Sequence, residues 1–161
     1  LIAVAIVVLG TVAGVSVGGH GLASGHPGPG HGGKLVRQRT PEAVVAEHAA
    51  ALNECNVDRL MAQYPKSIAI LLPGGVTVEG RASVRGLFEG PCLPPSSGGL
   101  NGIHFEVVKS WTIGKTVNVQ WVATAPFLAE PYYGADAYIT RAGLLESQVS
   151  TFDPTELQFV S

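Results

Sequence analysis

Residues 134–152, GADAYITRAGLLESQVSTF, constrain the fold more than any other stretch of the chain. They read as two strands, 135–140 and 144–152, joined by the turn residues Arg141, Ala142 and Gly143. Asp136 stands at the start of the first strand among Ala, Tyr and Ile. A carboxylate placed there either faces solvent at the sheet end or lines a hollow. In a hollow, desolvation raises its pKa and lets it act as an acid or a hydrogen-bond donor. The rest of the chain decides between the two.

The 161 residues are 46% hydrophobic and 14% charged, with a formal net charge of -2, which suits one domain with a substantial core. Aromatic residues are few and no basic patch is interleaved with them, which argues against a nucleic-acid partner. Residues 1–17, LIAVAIVVLGTVAGVSV, form an almost uncharged apolar run followed by small residues. The run resembles the apolar region and cleavage site of a secretory signal. It lacks an initiator Met and a basic leader, so the given sequence is expected to begin inside the signal. Residues 1–25 are read as this signal, with a retained membrane anchor as the alternative, because the run is near the lower limit for crossing a bilayer. The expected location is secreted or extracytoplasmic, and membrane contact is expected only if the segment is retained.

Residues 26–39 continue a stretch rich in Gly, His and Pro that cannot bury enough apolar surface to order itself, and they read as a linker. His20, His26 and His31 have no fixed geometry for a metal, and none is expected. Cys55 and Cys92 lack the spacing of a zinc or redox motif. In an exported chain they are disulfide candidates, worth about 4 kcal/mol on the chain-entropy model. In a cytosolic chain they would be two buried thiols.

The domain is read over residues 40–161. Thr40-Pro41-Glu42 is a helix start, with Thr as cap, Pro at the first position and Glu near the positive end of the dipole. Val44, Val45, His48, Ala49 and Leu52 then recur at helical spacing. A short helix is expected over 57–64, between Asn56 as cap and Pro65 as stop, and a third over 82–89. Strands are expected over 67–72 and 76–79, around Pro73-Gly74-Gly75, and then over 103–113 and 116–127. Residues 128–134 read as a wide connection, and 90–99 as a rim or lid loop. Helices followed by a run of antiparallel strands make an α+β plan.

With these elements in place, TPEAVVAEHAAALNECNVDRLMAQYPKSIAILLPGG, VEGRASVRGLFEG and GADAYITRAGLLESQVSTFD together resemble the nuclear-transport-factor-2-like superfamily. That group includes ketosteroid isomerases, polyketide cyclases and scytalone dehydratase. The resemblance covers residues 40–153. It implies a cone-shaped roll, in which a curved, mixed but mostly antiparallel sheet wraps around about three helices and leaves an apolar pocket. It also implies a hydrophobic small molecule as ligand and a homodimer formed through the open face of the sheet. No cofactor is implied, and no metal or nucleotide motif is present.

Compared position by position, the family's pocket acid falls on Asp136. The family's tyrosine on the first helix is replaced by His48, and its base before a proline is replaced by Leu72. Loss of that base removes the group that takes the substrate proton in ketosteroid isomerisation. Related cyclases and dehydratases use His and Asp groups in the same cavity, which makes Asp136, His48 and His104 the candidate catalytic groups. Leu72, Tyr64, Trp121 and Tyr138 are the expected pocket wall, with Trp111, Phe127, Tyr132 and Tyr133 as core or wall. Two functions remain open on the sequence. One is a domain that binds an apolar ligand. The other is a cofactor-independent acid-base isomerase, cyclase or dehydratase.

Overall fold

The computed structural model describes residues 33–160. The apolar N-terminal run, and His20, His26 and His31, lie outside the described residues.

Helix α1 (Pro41–Asn53) begins where Thr40 Oγ1 accepts a hydrogen bond from the Ala43 amide at 3.2 Å, with Pro41 at the first position. It buries Val44, Val45, His48 and Ala51. Beyond α1, Asn56 caps α2 (Val57–Met61), accepting from the Arg59 amide at 3.0 Å. α2 is shorter than the expected 57–64. Gln63 and Tyr64 donate to the carbonyls three residues back, and Pro65 disfavours helix at the residue before it, so the chain tightens and turns out. That turn leaves Tyr64 wholly buried.

Strands β1 (Ala69–Leu72) and β2 (Val76–Glu79) form a hairpin, and Gly80 then admits α3 (Arg81–Glu89) with a φ of 81°. The Arg81 guanidinium donates twice to the Met61 carbonyl, at 3.1 and 2.8 Å, which ties α3 to α2. β3 (His104–Ile113), β4 (Thr116–Thr124), β5 (Tyr132–Arg141) and β6 (Leu144–Phe152) follow. Among the described residues, six strands form one sheet in the order β2-β1-β6-β5-β4-β3. β1 runs parallel to β6 and every other pairing is antiparallel. Register shifts at Val107/Lys109 in β3 and at Ile139/Thr140 in β5 add bend and twist. The sheet curves over α1, which Asn53 pins to the start of β3 through two bonds with the Phe105 backbone, at 2.9 and 2.7 Å. The result is an α+β cone.

β5 starts at Tyr132 rather than at 135, because Tyr132, Tyr133 and Gly134 continue the ladder opposite Ala123, Val122 and Trp121. Asp136 therefore sits well inside the strand instead of at its start. Gly134 is required by close approach: a Cβ there would stand 2.1 Å from Cζ2 of Trp121, so only glycine leaves room for the indole.

The described end of the expected linker runs along the domain. The Val36 amide donates to the Ala62 carbonyl at 2.8 Å, and the Gln38 amide to the Gly143 carbonyl at 2.9 Å. Cys55 and Cys92 are joined as a disulfide, with their Cα atoms 5.3 Å apart, which clips the end of α1 to the loop after α3.

Candidate functional site

The cone encloses a cavity of about 660 Å³ between α1, α3 and the inner face of the sheet. Its lining divides by exposure. Buried residues such as His48, Val119, Trp121, Asp136, Tyr138 and Gln148 form a floor. Half-buried or exposed residues such as Leu72, Ala82, Ser83, Gly86, Pro91 and Leu157 form a rim. A second, shallower depression of about 390 Å³ lies around Val108, Gln120, Tyr133 and Thr151, and carries neither carboxylate nor imidazole.

Period-2 geometry places the floor. Val117, Val119, Trp121 and Ala123 of β4 point inward, as do Tyr132, Asp136, Tyr138 and Thr140 of β5. Asp136 is 9% exposed. Its Oδ2 accepts from Trp121 Nε1 and from the Tyr138 hydroxyl, each at 2.9 Å, while Oδ1 is buried without a hydrogen-bond partner. Burial pushes its pKa up from 3.8. Ser150, Tyr138, Trp121 and Gln148 draw it part of the way back, although neither Ser150 nor Gln148 makes a well-formed hydrogen bond to Oδ1. Directly across the β5–β6 ladder from Asp136 is Ser150, whose Oγ accepts from Gln148 Nε2 at 2.9 Å. Gln148 Oε1 is likewise buried without a partner.

His48 lines the cavity from α1, with its ring 5.2 Å from that of Tyr138. Burial pushes its pKa down to about 4, so it is neutral at neutral pH. Its Nδ1 lies 3.0 Å from the Tyr64 hydroxyl. That hydroxyl is fully buried and has no other hydrogen-bond partner among the described residues, so it donates to Nδ1. The His48 proton then resides on Nε2, and the imidazole offers a donor rather than a base. The same burial raises the pKa of Tyr64 and of Tyr138, and Asp136 adds to both.

The structure brings Asp136, His48, Leu72, Trp121 and Tyr138 to one cavity. It does not bring His104 there: the ring is exposed at the start of β3, opposite Thr124, at the outer edge of the sheet. Tyr64 is also displaced from its expected place, standing behind His48 in the core rather than on the wall. Gln148 and Ser150 were not singled out from the sequence. In ESQVSTF the alternation invites Val149 inward, whereas the structure exposes Val149 and buries the polar pair beside it. A buried Trp indole needs an acceptor, and that requirement was the available pointer to a polar floor.

No group of three or more His, Cys, Asp or Glu residues able to hold a metal occurs among the described residues. No helix among them is long and apolar enough to cross a membrane.

No family model matches the chain, and no curated protein matches it. Solved structures do. One is a nuclear-transport-factor-2-like protein of unknown function from Cytophaga hutchinsonii, at 19% identity and a TM-score of 0.59, covering 73% of this chain and 94% of that one. A putative ketosteroid isomerase from Kribbella flavida aligns at 16% identity and a TM-score of 0.59, covering 70% and 77%. An epoxide hydrolase/cyclase-like enzyme of pyran ring formation in the polyether salinomycin aligns at 19% and 0.60, covering 74% and 95%. At these identities the likeness shows the fold. The described domain is an α+β cone enclosing an apolar cavity, and that cone is the nuclear-transport-factor-2-like fold, the one shared with ketosteroid isomerase-like and cyclase-like structures.

Proposed function

We propose that the domain binds a small apolar ring compound in the cone and orients it by hydrogen bonds at the buried floor. The observation that carries this reading is the pairing of a large, mostly apolar cavity with two buried oxygens, Asp136 Oδ1 and Gln148 Oε1, that have no partner. Buried polar atoms are normally satisfied, and unsatisfied ones that line a hollow are places for a ligand. The test is titration of the full chain with a neutral, environment-sensitive naphthalene dye, followed by displacement with apolar ring compounds. Saturable binding at one site, abolished by Gly86→Trp at the rim, is expected. Binding that never saturates, or that ignores Gly86→Trp, overturns the reading.

A second reading, acid-base isomerisation, cyclisation or dehydration, is supported by Asp136 and His48 lining the same cavity. Leu72 at the position of the family's base, and the Nε2–H form of His48, favour binding without turnover. Export is proposed alongside, and the Cys55–Cys92 disulfide is compatible with an oxidising location. A homodimer through the outer sheet face is also proposed, supported by exposed Val108, Trp111, Ile113 and Tyr133.

A further inference from the structure

The cavity floor carries two unpartnered acceptors and, among the described residues, no cationic side chain. Among the described residues, Asp136 is the one formally charged residue that lines the cavity, and neither Lys nor Arg joins it there. Oδ2 already takes two donors, while Oδ1 and the neighbouring Gln148 Oε1 take none. Both side chains are more than nine-tenths buried, at 9% and 7% exposed. They lie on adjacent strands, and Gln148 stands opposite Tyr138, two residues along β5 from Asp136. Aromatic rings surround this pair. Trp121 packs against Phe105, Tyr132 and Phe152 with centroids 5.3, 5.8 and 6.5 Å away, and Tyr138 lies against His48.

We infer that the ligand is an apolar ammonium: a hydrocarbon ring or cage carrying a protonated primary or secondary amine, its N–H groups donating to Asp136 Oδ1 and Gln148 Oε1. This rests on the small-molecule reading of the cavity and narrows it. A phenol or alcohol brings a single O–H and leaves one of the two oxygens bare. A ketone brings no donor, so it leaves both Asp136 Oδ1 and Gln148 Oε1 bare. An ammonium supplies at least two donors and the missing counter-charge, which offsets the cost of keeping an ionised carboxylate away from water. The faces of Trp121 and Tyr138 attract a cation further. The apolar remainder of the cavity takes the hydrocarbon body.

The test is calorimetric titration of the full chain at neutral pH with three compounds that share one rigid cage hydrocarbon, bearing an amine, a hydroxyl or a ketone. The amine is expected to bind tightest, by about tenfold or more over the alcohol, and the ketone weakest. Asp136→Asn is expected to bring the amine down to the affinity of the alcohol while leaving the alcohol little changed. Gln148→Met keeps the carboxylate and needs no change at Asp136. It is expected to weaken the amine severalfold without affecting the ketone. An alcohol or ketone that binds as tightly as the amine overturns the ammonium assignment and leaves the pocket reading standing. If none of the three saturates the chain, the pocket reading falls with it.

Discussion

The floor and the rim of the cavity are built in different ways. The floor stands on β4, β5 and β6, with His48 added from α1, and on the strands cross-strand register sets side chains opposite named partners: Trp121 across from Gly134, Asp136 across from Ser150. The rim stands on the end of β1, on α3, on the loop that follows it and on the C-terminal segment, and is held by a disulfide and by Arg81. The polar groups stand mainly on paired strands, and the opening lies between a helix and the segments beside it. A change in the floor is therefore expected to alter what is bound, and a change in the rim to alter how easily it enters.

The largest expected effect breaks the rim. Replacing both Cys55 and Cys92 by Ser is expected to lower stability by about 4 kcal/mol, measured by urea unfolding, because the unfolded chain regains the freedom of the closed loop. The ranking of ligands by the folded double variant is expected to stay as it was, since no floor residue is touched.

The next effect belongs to the floor and depends on pH. His48 has its pKa pushed down from 6.5 to about 4 by burial, so the unfolded chain takes up a proton near pH 6.5 and the folded chain only near 4. Stability is expected to be fully present above pH 6.5 and to fall as pH drops towards 4, by about 3 kcal/mol in all. Asp136 acts in the opposite sense. Its pKa is raised above 3.8, so its contribution is present below that value and is lost as pH rises through the folded value. Unfolding curves of Asp136→Asn across pH 4 to 7 remove the opposing group, and are expected to show the steeper acid loss due to His48.

Two glycines sharpen the comparison further. At the floor, Gly134→Ala drives a Cβ into the Trp121 ring and is expected to cost about 2 kcal/mol and to weaken ligand binding. At the rim, the Cβ of Gly86 would meet nothing within 4 Å, and the residue lies inside α3. Gly86→Ala is expected to raise stability by about 0.7 kcal/mol with binding unchanged, the gain coming from helix propensity. Thermal unfolding and dye titration check both. Equal outcomes at the two positions would contradict the division into floor and rim.

The sequence carried the frame of this molecule further than its contents. Thr40-Pro41 and the spacing of Val44, Val45 and His48 announce α1, because capping and helical period are local. The apolar neighbours of Asp136 leave it open between solvent and a hollow, and the family position is what points it inward. His104 is not readable in the same way. Its strand is an edge, exposed along most of its length, and is shifted at Val107/Lys109, so no burial pattern marks which residues turn inward. Gln148 and Ser150 escape for the converse reason. A polar floor inverts the usual apolar-in pattern of β6, and only the need of Trp121 and Asp136 for company points to them. Tyr64 is expected on the second helix and on the wall, but α2 ends at Met61 and the turn that follows carries Tyr64 one layer deeper, behind His48.

The most direct test is a crystal structure of the full chain with the cage amine bound. The nitrogen is expected within hydrogen-bond distance of both Asp136 Oδ1 and Gln148 Oε1, with the cage against Trp121 and Leu72. A cage seated with its nitrogen turned out towards the rim, or density confined to the outer face near Val108 and Tyr133, would contradict the account.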